Sequence, residues 1–117
     1  EGRCFPEARQ ALIGEQFRNH PMRAKITQLY ADSQTFDFGP YAASMDLVFI
    51  DGDHTYEGVK RDTENALRMI RPGGLILWDD YHQRFGDEVM EYLHELAKTL
   101  PISRIQSTRF AVYRSAA

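Results

Sequence analysis

The sequence predicts an α/β domain built around a parallel strand pair. Two uninterrupted apolar runs, Leu47–Ile50 and Leu75–Trp78, each end in acidic residues, and an amphipathic segment separates them. Such runs are typical of strands buried on both faces of a parallel sheet. The connection between them exceeds the roughly dozen residues that a parallel crossover needs. The two runs and the segment between them therefore predict one right-handed βαβ unit.

Composition excludes several classes of protein. The 117 residues carry 14 Lys and Arg, 17 Asp and Glu and one Cys, with a formal net charge of -3. One Cys cannot form an intramolecular disulfide or a Cys-based zinc site. No run approaches the ~20 apolar residues that span a bilayer, and no signal-peptide pattern is present. We therefore expect a cytoplasmic protein without a membrane partner, and the acidic balance argues against a nucleic-acid partner.

Helical periodicity predicts three helices. The first covers Pro6–Asn19, where Pro6 suits the first turn of a helix. The second covers Tyr56–Ile70, whose apolar residues fall on one face, with Thr55 or Asp53 as its N-cap. The third covers Asp87–Leu100.

The remaining segments predict short strands and a loop. Lys25–Ala31 favours a strand, and Asp32–Ser44 favours a loop with one helical turn. Ile102–Arg114 is typical of two short strands that form a hairpin. No linker or repeat interrupts the chain, so residues 1–117 are expected to form a single domain.

Acidic residues follow both strands of the βαβ unit. Asp51 ends the first strand, and Asp79 and Asp80 end the second. Neighbouring strands lie about 4.8 Å apart, so these carboxylates are expected to meet at one end of the sheet. Unpaired, they raise one another's pKa values, and a divalent cation such as Mg²⁺ removes that penalty. The alternative is that they cap helices or face the solvent.

Two further positions are candidates for a site. His54 follows Asp51 by three residues and can either accept a proton from a substrate hydroxyl or cap the helix. Asp32 and Ser33 follow the early predicted strand. A carboxylate there can accept a hydrogen bond from the amino group of an adenine, although Asp-Ser pairs are also common in loops.

One stretch resembles a known family. Residues 45–82, MDLVFIDGDHTYEGVKRDTENALRMIRPGGLILWDDYH, resemble class I S-adenosylmethionine (SAM)-dependent methyltransferases. They are most similar to the group that contains the macrocin and macrolide-sugar O-methyltransferases. The flanking segments FRNHPMRAKITQLYADSQTFDF and LPISRIQSTRFAVYR fit as well, so the resemblance covers nearly the whole chain.

The resemblance implies a fold and a reaction. The fold would be part of a Rossmann-like methyltransferase sheet, mostly parallel with a C-terminal antiparallel hairpin and helices on both faces. The reaction would move a methyl group from SAM to a small-molecule hydroxyl, with Mg²⁺ or a similar cation. By position, the implied metal ligands are Asp51, Asp79 and Asp80, the general base is His54, and the adenine contact is Asp32 with Ser33.

The chain departs from the family at its start. It contains no GxGxG-type segment to hold the methionine part of SAM, and it begins after the family's second strand. The missing strands would lie between Lys25–Ala31 and Met45–Asp51, so the Leu47–Ile50 strand is expected to expose an edge. The early strand can pair there, two chains can join there, or the chain can be a piece of a longer protein. We expect a homo-oligomer through this edge.

Two functional hypotheses follow from the sequence. The first is a metal-dependent SAM O-methyltransferase, or its C-terminal half, which the acids and His54 favour. The second is a non-catalytic oligomeric binding or structural module derived from a methyltransferase, which the missing glycine loop favours. The same missing loop argues against a nicotinamide-dependent oxidoreductase.

Overall fold

The computed structural model describes residues 13–82 and 87–117. The chain divides into two compact units, Glu1–Phe36 and Asp37–Ala117. Every strand and α-helix found in the described residues belongs to the second unit. The single domain expected from the sequence stays a prediction.

The second unit contains a mixed four-stranded sheet. Its strands are β1 (Met45–Ile50), β2 (Ile70–Trp78), β3 (Ser103–Arg104) and β4 (Ala111–Arg114). Their order is β1-β2-β4-β3, with β1 parallel to β2 and the other two pairs antiparallel. This arrangement confirms the predicted α/β class, the βαβ unit and the C-terminal hairpin.

Two α-helices complete this unit, α1 (Tyr56–Met69) and α2 (Glu88–Leu96). The side chain of Thr55 caps α1, because its hydroxyl accepts a hydrogen bond from the Gly58 backbone N–H at 3.0 Å. Asp53, the other candidate cap, accepts from the Thr55 N–H at 3.0 Å and shapes the preceding turn. Within the described residues, neither helix has the length and apolar character needed to cross a membrane.

The prediction of a strand over Lys25–Ala31 is wrong. Arg23–Lys25 form a 3-10 helix, and residues 26–30 belong to no strand. Strand formation depends on packing against neighbours rather than on local preference alone. The apolar side chains here remain exposed at 44% for Ile26 and 51% for Leu29, so this packing is absent.

The predicted first helix, Pro6–Asn19, is only partly within the described residues. Residues 6–12 lie outside them, and residues 13–19 form turns rather than a helix. The Gly14 carbonyl accepts hydrogen bonds from the N–H groups of Phe17 and Arg18 at 3.2 and 3.1 Å. Gly14 has a φ of 83°, in the left-handed region that ends helices.

Two predicted boundaries also move. The helix predicted over Asp87–Leu100 ends at Leu96, and β2 starts at Ile70 rather than at Leu75. The register between β1 and β2 shifts after Ile70, so that residues 71–74 bulge out of the ladder. Gly73, with a φ of 82°, supplies the left-handed backbone that this bulge requires.

The core lies between the sheet and both helices. Trp78 of β2 is fully buried, and its indole N–H donates to the buried hydroxyl of Thr63 on α1 at 2.9 Å. Tyr92 of α2 also hydrogen-bonds to Thr63, so one hydroxyl connects three elements. The apolar side chains of this core belong to Ile50, Val59, Ala66, Ile70, Ile76, Trp78, Val89, Tyr92, Leu93 and Ala111.

The other face of the sheet is apolar and open within this unit. Leu47 and Phe49 of β1 are 53% and 49% exposed. The register places them beside Leu75 and Leu77, and side-chain alternation puts all four on the face opposite the core. Among the described residues β1 pairs with β2 alone, so its other side is the exposed edge expected from the sequence.

Replacing Thr63 with Val should destabilise the second unit. The substitution keeps the volume but removes the acceptor of the buried Trp78 N–H, which costs about 1–3 kcal/mol in unfolding free energy. Urea unfolding followed by tryptophan fluorescence measures this loss. Thr99→Val, at an exposed position, is the matched control. Equal stability of Thr63→Val and the parent chain would contradict the role given to this hydroxyl.

The chain should self-associate through β1. The edge of β1 that pairs with no described strand gains hydrogen bonds and buried area by pairing with a second copy. Light scattering as a function of concentration should show a rising mass, and Phe49→Lys should abolish the rise. Ile105→Lys is the control, because it changes another exposed apolar residue, which lies between β3 and β4. The mass of this variant should still rise with concentration. A monodisperse monomer at high concentration would refute the prediction.

Candidate functional site

The ladder between β1 and β2 brings the acids at both strand ends together. Ile50 pairs with Trp78 at the last position of the ladder. The Asp79 N–H then donates to the Ile50 carbonyl at 3.0 Å. Asp51 and Asp79 consequently follow the last paired residues of neighbouring strands, at the same end of the sheet. We call the three carboxylates at this end of the sheet, Asp51, Asp79 and Asp80, the acidic cluster.

Asp80 has an uncommon backbone conformation. Its φ is 65°, in the left-handed region that residues other than glycine seldom occupy. Its N–H donates to the Asp79 carboxylate at 2.7 Å, which favours this local turn. Its side chain is only 12% exposed. A buried carboxylate of this kind requires hydrogen-bond or charge partners.

His54 is the nearest of these partners. Its Nε2 lies 2.7 Å from Oδ2 of Asp80, a hydrogen-bond distance. In a neutral ring that donates from Nε2, the lone pair lies on Nδ1. The side chain is 58% exposed, so the ring is accessible to a ligand. The pair forms a carboxylate-oriented imidazole, an arrangement that suits proton transfer.

The electrostatics of the acidic cluster favour a cation. Partial loss of hydration raises the pKa of Asp51 above its ordinary value of 3.8, and the charges of Asp79 and Asp80 raise it further. His54 and Arg109 act in the opposite direction without cancelling the rise. The folded chain therefore holds more negative charge here than its own cations neutralise.

The donor atoms are close enough to share one ion. Among the described residues, ligand atoms of Asp51, His54 and Asp80 all lie within 4.8 Å of one another. Two carboxylates and an imidazole suit divalent cations that accept oxygen and nitrogen ligands. The donor chemistry therefore fits the cation that the sequence predicted, and the role of Asp79 as a ligand stays a prediction.

Arg109 is a site residue that the sequence reasoning missed. Its Nη2 lies 3.4 Å from Oδ2 of Asp79 and 3.8 Å from Oδ1 of Asp80. The antiparallel register pairs Ala111 with Trp78, so continuing it two residues places Arg109 opposite Asp80. The register of the β2–β4 pair was the signal that would have revealed it.

His82 connects the acidic cluster to the start of α2. Its Nε2 lies 3.6 Å from Oδ1 of Asp80, and its Nδ1 lies 3.6 Å from Oδ2 of Asp87. Asp87 also caps α2 by accepting from the Val89 N–H at 2.9 Å. His82 therefore lies between two carboxylates, and its Nδ1 is buried without a hydrogen-bond partner among the described residues.

Asp32 and Ser33 belong to the first unit and have contacts typical of a loop. Asp32 accepts from the Gln34 N–H at 2.9 Å, which forms an Asx turn. The Ser33 hydroxyl lies 3.5 Å from the Gln34 side-chain amide. Their expected contact with the adenine of SAM stays a prediction.

Comparison with known families identifies the chain. A family model described as a methyltransferase domain matches residues 3–81, more than half of the sequence. The chain therefore belongs to this family of methyltransferase domains, which implies SAM as the methyl donor. The resemblance to the macrocin group stays a prediction.

Individual relatives are longer than this chain. An uncharacterised protein of Acanthamoeba polyphaga mimivirus is 31% identical over 71 residues, which cover 60% of this chain and 30% of the relative. An uncharacterised protein of Sinorhizobium fredii is 38% identical over 60 residues, which cover 50% of this chain and 7% of the relative. The chain thus spans less than a third of either relative.

A solved structure shares the fold. The crystal structure of a possible exported protein from Bordetella parapertussis matches 97% of this chain and 52% of its own length. The TM-score is 0.60 and the sequence identity is 16%. This likeness supports the fold alone.

The raised pKa of Asp51 predicts a pH-dependent effect of Asp51→Asn without divalent cations. The folded chain binds the Asp51 proton more tightly than the unfolded chain, so the stability of the parent falls as pH rises from 3.8 through the raised pKa. The Asp51→Asn variant has no carboxyl group to ionise at this position, so it does not lose this stability as pH rises. Its melting temperature should exceed the parent's at pH 7, and the advantage should shrink as pH falls toward 3.8.

Asp46→Asn provides the control for this measurement. Asp46 is an exposed acid on β1 that forms an ion pair with Arg71. Its replacement should bring no gain at either pH. Thermal unfolding in a chelating buffer, followed by circular dichroism, compares the three chains. A lower melting temperature of Asp51→Asn at pH 7 would contradict the raised pKa of Asp51.

Proposed function

We propose that this chain carries the catalytic end of a divalent-cation-dependent SAM O-methyltransferase that acts on a small-molecule hydroxyl. The observation that supports it best is the 2.7 Å contact between His54 and Asp80 beside Asp51 and Asp79. The acids and the imidazole follow the carboxyl ends of β1 and β2, where open α/β sheets bind their ligands. Membership of the methyltransferase-domain family supplies the reaction class.

His54 acts as the general base in this proposal. Asp80 holds Nε2 and thereby orients the ring, which leaves Nδ1 to accept the proton of the acceptor hydroxyl. A new bond joins that oxygen to the methyl carbon while the carbon–sulfur bond of SAM breaks. The bonding electron pair stays on sulfur, and the proton ends on His54. Base catalysis of this kind contributes about 10²- to 10⁴-fold to the rate.

Asp51 and Asp80 are the proposed direct cation ligands. Their oxygens belong to the group of donor atoms that lie within 4.8 Å of one another. A bound divalent cation neutralises carboxylate charge and eases the ionisation of a nearby hydroxyl. Partial loss of hydration and the charges of Asp79 and Asp80 raise the pKa of Asp51, and a bound cation would relieve both effects.

Binding of SAM is assigned to Asp32 and Ser33 for the adenine. The sequence lacks a glycine-rich loop for the methionine part. Groups of a second copy or of further polypeptide would hold that part. A cytoplasmic location and the relationship to macrocin O-methyltransferases are parts of the same proposal.

A second candidate function is a non-catalytic oligomeric module derived from a methyltransferase. The missing glycine loop favours it, since a binding or structural role does not need the whole cofactor site. The open apolar face of Leu47 and Phe49 also favours it, because such a face suits assembly. Cofactor binding discriminates between the two candidates.

Calorimetric titration of the chain with SAM should give saturable heat, and added Mg²⁺ should strengthen binding. Asp80→Asn should lose the Mg²⁺ effect and keep the SAM signal, whereas Asp46→Asn should retain both. Heat with Mg²⁺ but not with SAM would leave a metal site and favour the non-catalytic module. No heat with either would refute the proposed cofactor chemistry.

His54→Asn should lower methyl transfer from labelled SAM to a panel of hydroxyl compounds by about 10²- to 10⁴-fold, because the base is lost. Its affinity for Mn²⁺ should stay within about threefold of the parent's, since the two carboxylates remain. His20→Asn, which changes an exposed histidine in the first unit, is the control. A loss of Mn²⁺ affinity above tenfold would instead make His54 a cation ligand.

A further inference from the structure

We infer that Arg109 is a built-in counter-ion of Asp79 and thereby restricts direct carboxylate binding of the cation to Asp51 and Asp80. The inference rests on the proposed function for the presence of the cation. It goes beyond that proposal by giving Arg109 a positioning role. It also removes Asp79 from the ligands that the family resemblance implies.

Both oxygens of Asp79 already have partners. Oδ1 accepts the Asp80 N–H at 2.7 Å, and Oδ2 lies 3.4 Å from Nη2 of Arg109. The same guanidinium nitrogen is farther from Asp80, at 3.8 Å. Asp80 instead directs its Oδ2 at His54. The geometry therefore divides the acidic cluster into one carboxylate held by Arg109 and two that lie near His54.

The position of Arg109 is set by its backbone. Its carbonyl accepts the Tyr81 N–H at 2.8 Å, which extends the pairing of β2 and β4 past the end of the ladder. The turn before it is shaped by Ser107, whose φ is 63°, and by the Thr108 hydroxyl, which accepts the Phe110 N–H at 3.0 Å. These contacts do not depend on the charge of Arg109, so a substitution can remove the guanidinium without removing the turn.

Charge balance supports the same division. The acidic cluster carries three negative charges when ionised, and Arg109 contributes one positive charge. One divalent cation supplies the other two, so the site is neutral only when both are present. Arg109 is 61% exposed, so its attraction to Asp79 is screened by salt and is modest.

The candidate ligand atoms agree with this division. Within the part of the chain that the structure describes, the close group of donors contains Asp51, His54 and Asp80 and does not include Asp79. Asp79 remains beside this group through its bond to the Asp80 N–H. Removal of Arg109 would therefore free Asp79 to join the ligands.

A Mn²⁺ titration followed by the paramagnetic resonance of the free ion tests the inference. Asp51→Asn should weaken Mn²⁺ binding at least tenfold, whereas Asp79→Asn should weaken it by less than about threefold. In the Arg109→Gln background, Asp79→Asn should cost at least tenfold, because Asp79 is then a ligand. Arg104→Gln, an equal charge change at an exposed position on β3 of the same hairpin, should have no effect. A tenfold loss for Asp79→Asn alone would overturn the inference.

A cation-free measurement separates this inference from the proposed function. At low salt, Arg109→Gln should lower the melting temperature of the parent chain and should cause a smaller loss in the Asp79→Asn chain, where its partner carboxylate is gone. Equal losses in the two chains would overturn the pairing. Failure of the parent chain to bind Mn²⁺ would refute the cation of the proposed function and the division of its ligands. The thermal cycle would then decide the Arg109–Asp79 pairing independently.

Discussion

The parallel pairing of β1 with β2 is the constraint on which the rest of the site depends. The ladder ends with the Asp79 N–H bound to the Ile50 carbonyl, which sets both acidic strand ends at one level. The buried Trp78, one residue earlier, is tied to α1 through Thr63. Core packing therefore holds the strand end from which Asp79 and Asp80 project. Small movements of the core would be transmitted directly to the spacing of the carboxylates.

Negative charge concentrated in this way needs several compensating groups. His54 contacts Asp80, and Arg109 contacts Asp79. The pKa of Asp51 stays raised by partial loss of hydration and by the charges of Asp79 and Asp80, which His54 and Arg109 do not cancel. Asp80 also has a left-handed backbone. Strained conformations of this kind are concentrated at functional sites. Together these features describe a site in which three carboxylates lie close to one another and contact two histidines and one arginine.

The residue pattern predicted secondary structure correctly where the residues of a segment themselves determine its conformation. The apolar runs of β1 and β2, the amphipathic α1 and its Thr55 cap all follow from short-range chemistry. The segment Lys25–Ala31 failed because a strand requires a neighbour, and its apolar residues are exposed instead. Residues 71–74, which separate the predicted helix from the predicted strand, belong to β2 as a bulge because the ladder resumes at Leu75.

By itself, the sequence determined the βαβ unit, the carboxylates at its end and the absence of a glycine-rich loop. Those features depend on residue type and spacing along the chain. Only the tertiary structure decided which side chains compensate the acids, because Arg109 is 30 residues from Asp79 and meets it through the antiparallel β2–β4 register. It also decided which ring nitrogen of His54 contacts Asp80, since Nε2 lies 2.7 Å from Oδ2 of that residue. Long-range register and backbone reversal are properties of the packed chain, and no local pattern contains them.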